Sequence, residues 1–247
     1  MKKVMGLAIT ALAIIGLNTS YAGEISGGLF RIGAYFDYNP QPALNTAIKT
    51  AGYSELSGLA YGMSIGGGGF GGNFYFGGWG TVINSSEVIK SAASDRTMTY
   101  GGGFGGFEFG YLAVYSGGFM LMPTLSVLWG GYGMSFQTNL SFADYLNNPV
   151  EYSPEIGSSI FSLSAGITTG MIFADRMGFL LRVNYIYTPL FSWDGAVLSA
   201  TPEYNQHSLF ISLEMAFGTL IPGKDISHEI NADDLPSGLP EDENYVQ

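Results

Sequence analysis

Four charged residues stand out because they sit where charges are scarce. Arg31, Glu108, Arg182 and Glu214 each fall in a segment where large apolar residues alternate with Gly, Ser and Thr, and each takes the small or polar parity. A period of two belongs to a β-strand with two unlike faces, so all four would project from the same side of a sheet. Two positive and two negative groups balance, as charges removed from water must. The chemistry expected of them is an internal ionic network that fills a lumen. The sharper alternative is a gate, in which a pair exchanges partners and opens a path for water.

The remaining reactive groups are few. His207 and His228 are the two histidines of the chain. A serine nucleophile needs a base within reach, but His207 and Ser208 are neighbours in one alternating segment and face opposite sides. His228 lies in a polar tail. No catalytic residue is expected, and the chain reads as a non-enzyme. The acids Glu87, Asp95, Asp144, Glu151, Glu155, Asp194 and Glu203 have no calcium-loop spacing. They read as solvated loop surface, with no metal site. The glycine runs 66–72 and 101–106 lack the following helix and the Lys-Ser/Thr of a phosphate loop, so no cofactor-binding residue is expected either.

The elements that carry these groups follow from alternation and turn residues. The cleanest segment is 208–220, where Leu209, Ile211, Leu213, Met215 and Phe217 alternate with Ser208, Phe210, Ser212, Glu214, Ala216 and Gly218. Eight strands are predicted at 25–38, 57–67, 72–83, 97–115, 119–138, 159–174, 178–193 and 206–220. Short connections fall at 68–71, 116–118 and 175–177. Long ones fall at 39–56, 84–96, 139–158 and 194–205, with a short helix expected over 43–52. Strict alternation of long and short links is the pattern of an up-and-down barrel.

A soluble barrel would need charges on its outer face. Here the non-apolar parity holds Gly62, Ser64 and Gly66, then Ser162, Ser164, Gly166 and Thr168, residues too small and neutral to meet water. They suit the crowded interior of eight strands. The opposite parity offers Phe107, Phe109, Phe161, Leu163, Phe179 and Leu181, a lipid-facing surface. The fold class expected is therefore all-β: an eight-stranded antiparallel transmembrane β-barrel with short periplasmic turns and long extracellular loops. Trp129 and Trp193 fall on the outward parity near the long loops, where an aromatic girdle belongs. Trp79 has the inward parity, which a bulge at Gly77 and Gly78 would reverse. Closure makes the eighth strand a neighbour of the first and seventh, so Glu214 is expected between Arg31 and Arg182, with Glu108 on the opposite wall.

Composition agrees. Charged residues make up 12% of the chain against 37 Gly, 16 Tyr and 17 Phe, where soluble domains average roughly a quarter charged. Cysteine is absent, so no disulfide supports the fold. Residues 1–22 read as a secretory signal peptide: Lys2 and Lys3, an apolar stretch over 4–17, then Ser20, Tyr21 and Ala22 as a cleavage site. Its removal makes the formal charge of −11 two units more negative, which disfavours nucleic acid as a partner. Residues 23–220 would form the barrel. Residues 221–247, rich in Asp, Glu and Pro, would form an acidic disordered periplasmic tail.

Strand count, loop asymmetry, outward aromatics and a charged lumen over 23–220 resemble the small outer-membrane barrels of Gram-negative bacteria, the outer-membrane protein A, X and W class. The resemblance implies a place in the outer membrane of the cell envelope, in contact with its lipid and lipopolysaccharide. It also implies periplasmic chaperones and the barrel-assembly machinery as partners. The role implied is structural or surface-interacting, with a narrow porin-like channel for small or apolar solutes as the alternative. Members often end in an aromatic assembly signal. Here the nearest match, Phe217, is followed by a further segment to Gln247. The sequence specifies neither ligand nor oligomeric state.

Overall fold

The computed structural model describes residues 25–83, 87–90, 96–138, 146, 155–173, 176–194 and 201–222. The proposed signal peptide, the tail beyond 222 with His228, and Asp95, Asp144 and Glu151 lie outside the described residues, as do the side chains of Glu87 and Glu155.

Among the described residues the elements are β1 (Ile25–Tyr38), α1 (Pro42–Thr50), β2 (Leu59–Gly71), β3 (Phe74–Ile83), β4 (Glu87–Lys90), β5 (Arg96–Tyr111), β6 (Val114–Ser116), β7 (Phe119–Thr138), β8 (Glu155–Phe173), β9 (Met177–Asp194) and β10 (His207–Pro222). Two of these strands are continuations. β3 and β4 pair in succession along β5, and β5 and β6 pair in succession along β7. The ring therefore has eight staves, all antiparallel. It closes because β1 pairs with β10 and β5 pairs with β7. Closure pairs every stave on both sides and leaves no open edge, the condition for β-structure in hydrocarbon.

The tight turns lie at one rim, called lower here, and the long connections at the other. Glycine makes these turns because their backbone is left-handed: Gly72 has φ 63°, and Gly117 and Gly118 have φ 58° and 83°. The first turn is thus at Gly72 and Asn73, and residues 66–71, expected in part as a connection, continue β2 in unbroken register with β3. The eighth and ninth strands also run longer than their apolar alternation indicated, β8 starting at Glu155.

Side chains alternate in and out of the ring as the pleat requires. Phe76, Phe107, Phe109, Leu163, Leu181 and Leu213 are exposed on the outside. Phe76 packs between Phe107 and Phe109 with ring centroids 5.9 and 5.0 Å away. An apolar outer surface on every stave cannot be wetted by water, since monomers in solution expose only small apolar patches. Lipid is its solvent. No helix of the described residues is long and apolar enough to cross a membrane.

Candidate functional site

The lumen is filled in layers. At the lower rim Ile25, Leu29, Phe70, Met120, Ile172 and Leu220 belong to one apolar cluster. Higher up, Tyr35, Trp79, Phe104, Tyr132, Ile186 and Phe210 belong to an aromatic cluster. Between these lies the ionic layer.

Arg31 (β1), Glu108 (β5), Arg182 (β9) and Glu214 (β10) all point inward and all are buried. Their partners differ from those inferred from strand order. Glu108 reaches across the ring and takes both arginines, Arg31 Nη2 at 2.8 Å from one oxygen and Arg182 Nη2 against the other. Glu214 stands 3.6 Å from Arg31 and makes no ion pair with Arg182. It accepts instead from Ser212 at 2.8 Å and Ser64 at 3.3 Å. Glu214 does stand on β10 between Arg31, in register with Ala216, and Arg182, in register with Ser212, with Glu108 on the opposite wall, but the ion pairs run mainly across the lumen to Glu108. The lumen of an eight-stave ring is narrow enough for one carboxylate to span it, so sheet neighbours have no privilege over the opposite wall.

Hydroxyls and amides complete the layer. The Asn184 amide, oriented with its oxygen toward the arginine, accepts from Arg182 Nε at 3.2 Å and Ser164 Oγ at 3.1 Å. Trp79 caps it from above. Its Nε1 donates to Ser126 Oγ at 3.1 Å, and the Arg182 guanidinium lies 4.0 Å over its ring. No bulge interrupts β3 at Gly77 or Gly78, so Trp79 keeps the inward parity read from the sequence. Gly66 lets β2 lie close to the base of this side chain, since an added Cβ there would lie 2.8 Å from the Trp79 Cβ. Trp79, like Asn184 and the serines, is a member of the layer that a search for charges misses. Its signal was an indole on the small-residue parity beside glycines.

The girdle expected at Trp129 and Trp193 divides. Trp129 is 50% exposed on the outer face. Trp193 faces inward. Phe161 pairs with Leu190 but Leu163 with Tyr187, so Thr188 and Pro189 together oppose Ser162 in a bulge. The extra residue reverses the parity of β9 above it. Trp193 consequently packs on Phe191 at 5.0 Å, and its Nε1 donates to the Pro202 carbonyl at 3.3 Å.

The upper mouth is covered by α1. Pro42 opens the helix, where its missing N–H costs nothing. Leu44 and Ile48, one turn apart, sit on the side that packs with Leu56, Met98 and Met134, with Trp193 at the edge. Asn45 ties the helix to Leu56, donating to its carbonyl at 3.0 Å and accepting from its N–H at 2.9 Å. A second clasp joins the first long connection to the last. Asn39 donates to the Tyr204 hydroxyl at 2.9 Å, Gln41 to Asn39 at 2.9 Å, and Asn205 to the Pro40 carbonyl at 2.9 Å. Burial, then the nearby Asp37 charge, raise the Tyr204 phenol above its ordinary pKa.

His207 lies on the outer side, its Nδ1 2.5 Å from the Tyr185 hydroxyl and its ring stacked with Tyr187 at 5.4 Å. Ser208 is buried inside. The pair does not assemble a hydrolytic centre, and among the described residues no group of three metal-ligating side chains occurs.

No family model matches the chain, and no curated protein does. Solved structures similar to it are outer-membrane barrels. A major outer membrane protein from Thermus thermophilus is 8% identical with a TM-score of 0.48, covering 78% of this chain and 98% of that one. The outer membrane protein OprG from Pseudomonas aeruginosa is 9% identical (TM-score 0.42; 82% and 99%). Ail, the attachment invasion locus protein of Yersinia pestis, is 11% identical (TM-score 0.37; 80% and 99%). The fold itself rests on the closed pairing of this chain's own strands.

Proposed function

We propose that this chain is a non-enzymatic, non-conducting barrel of the bacterial outer membrane, its lumen plugged by the Arg/Glu network and its long connections displayed at the cell surface for a structural or surface-interaction role. The observation that carries the reading is the stacking of three barriers in one narrow ring. An apolar layer closes the lower rim, a charge-balanced layer the middle, and aromatic side chains with α1 the upper mouth. Eight strands leave space for side chains and little else. An ion would have to break paired charges and then cross apolar packing, both costly steps.

The test is single-channel recording of the purified chain in planar bilayers, with folding verified by the shift in gel mobility between unheated and boiled samples. Silence supports the plug. Discrete, reproducible conductance from the folded form overturns it in favour of a narrow channel for small solutes. The partners that go with this reading are outer-membrane lipid and lipopolysaccharide, periplasmic chaperones and the barrel-assembly machinery.

A further inference from the structure

Above the ionic layer a fifth acid is buried without a counter-ion. Asp37, the last residue but one of β1, is 3% exposed, and its Oδ1 has no hydrogen-bond partner. No Lys, Arg or His of the described residues pairs with it. Its sheet neighbours are Ala60 on β2 and Phe210 on β10, and Tyr35 below it stacks on Phe210 at 5.1 Å. Arg31 and Glu214 belong to the layer beneath these two rings. The ionisable groups at the level of Asp37 are phenols: Tyr35, then Tyr132 of β7, Tyr100 of β5 and Tyr204 of the last connection, in or against one aromatic cluster. β2 and β10 bring none, since His207 faces outward, and Lys49 of α1 is held by Glu55 at the surface.

Two residues beyond Asp37 the chain enters the clasp between the first and last long connections. All of its bonds are neutral. Besides the bonds of Asn39 to Tyr204 and of Asn205 to Pro40, the Asn205 N–H donates to Gln41 Oε1 at 3.0 Å. Tyr204 packs down on the aromatic cluster, its ring 4.0 Å from that of Phe191. A carboxylate shut away from water and cations is tolerable only with its proton on. Neutral hydrogen bonds gain little by replacing water, so the clasp is too weak to hold a bare charge beneath it.

We propose that Asp37 is a proton-operated switch of the upper mouth: it keeps its proton while the clasp is shut, and gives it up to water when the clasp parts. The shut form binds the extra proton, so rising pH favours opening. The ratio of open to shut forms climbs by up to about tenfold per pH unit while the two forms differ in protonation. The ionic layer lies below, and the switch does not depend on whether the lumen conducts.

The test uses the full chain folded in detergent micelles and labelled with 5-fluorotryptophan, read by fluorine NMR from about pH 4 to about pH 9, a span that covers free and buried carboxyls. Trp193 reports the clasp, because its Nε1 donates to the Pro202 carbonyl of the last connection, and Trp129 on the outer face is the internal control. The Trp193 signal should titrate in the wild type while Trp129 stays still. In Asp37→Asn it should hold the shut position throughout. His207 ionises in the same span but is kept in that variant, so a change it causes would persist there. Tyr204→Phe, which loses the hydroxyl bonded by Asn39, should move the midpoint about half a pH unit or more toward acid, since a weaker clasp opens more readily. A flat wild type, or equal titration in wild type and Asp37→Asn, overturns the switch. If Asp37→Asn lacks the folded mobility, Tyr204→Phe decides, and an unmoved midpoint overturns it.

Discussion

Replacing Glu108 by Gln removes the one group that both buried arginines share. The substitution keeps size and shape, so packing is preserved and the loss is electrostatic. Deleting one partner of a buried ion pair costs about 3–5 kcal/mol, because the other charge is stranded. Two guanidiniums are affected here, but neither is left bare. Arg31 retains Glu214 at 3.6 Å, and Arg182 retains the Asn184 oxygen and the Trp79 ring. The expected cost is therefore about 3–5 kcal/mol and not twice that. Glu214→Gln should cost less, about 1–2 kcal/mol, since Gln still accepts from Ser212 and Ser64 and the lost ion pair is the longer one. Glu108→Leu combined with Arg182→Met should recover much of the loss, as apolar replacement of a whole buried pair often does. The assay is reversible denaturant unfolding of the folded chain in micelles or thin bilayers, followed by tryptophan fluorescence and compared at fixed lipid composition. A Glu108→Gln variant within about 1 kcal/mol of the wild type would refute the network as drawn. So would a larger cost for Glu214→Gln, which would make Glu214, and not Glu108, the principal partner of the arginines.

Trp79→Phe keeps a ring under the Arg182 guanidinium but loses the bond from Nε1 to Ser126, so it should cost about 1–2 kcal/mol in the same assay, and a neutral result would remove Trp79 from the layer. Brominated lipid chains should quench a variant retaining Trp129 alone far more than one retaining Trp193 alone, because one indole faces lipid and the other packs inside the ring; equal quenching would contradict the bulge at Thr188 and Pro189. Leu181→Arg, on the outer face beside the buried Arg182, should destabilise by about 2–4 kcal/mol if its site lies near the bilayer midplane. An unchanged stability there would mean that water, and not lipid, wets that face.

The two tryptophans show what parity can and cannot reveal. An alternating sequence fixes facing as long as each residue advances the chain by one pleat, which fails at the bulge in β9 and again between β5 and β6, where the register along β7 shifts by one and the consecutive Leu112 and Ala113 are both buried. Ring closure, the inward sense of Arg31, Glu108, Arg182 and Glu214 and the inward parity of Trp79 were legible on that basis, whereas the buried Asp37 was missed. A bulge breaks the count without leaving a gap in the alternation: above Pro189 the residues Phe191 and Trp193 still alternate with Leu190, Ser192 and Asp194, only on exchanged faces. The glycine run of β2 misled for a related reason. Glycine marks turns where left-handed backbone is needed, as at Gly72, but in a crowded ring it also marks where a strand lies close to the base of a neighbour's side chain, as Gly66 does for Trp79.

Partner choice in the lumen lay beyond the sequence for a different reason. Strand order gives adjacency along the ring, whereas a long side chain pointing inward is within reach of every wall. Glu108 pairs with residues three staves away on one side and three on the other, a geometry set by ring diameter and rotamer and not by spacing along the chain. That central position ties the halves of the ring together. β1 and β9 are each held to β5 through a single carboxylate, so separating the staves in unfolding must expose both arginines at once. The coupling between Arg31 and Arg182 in a double-mutant cycle should accordingly differ between the Glu108 and Glu108→Gln backgrounds, since the shared carboxylate offsets a repulsion between two buried guanidiniums that Gln leaves standing.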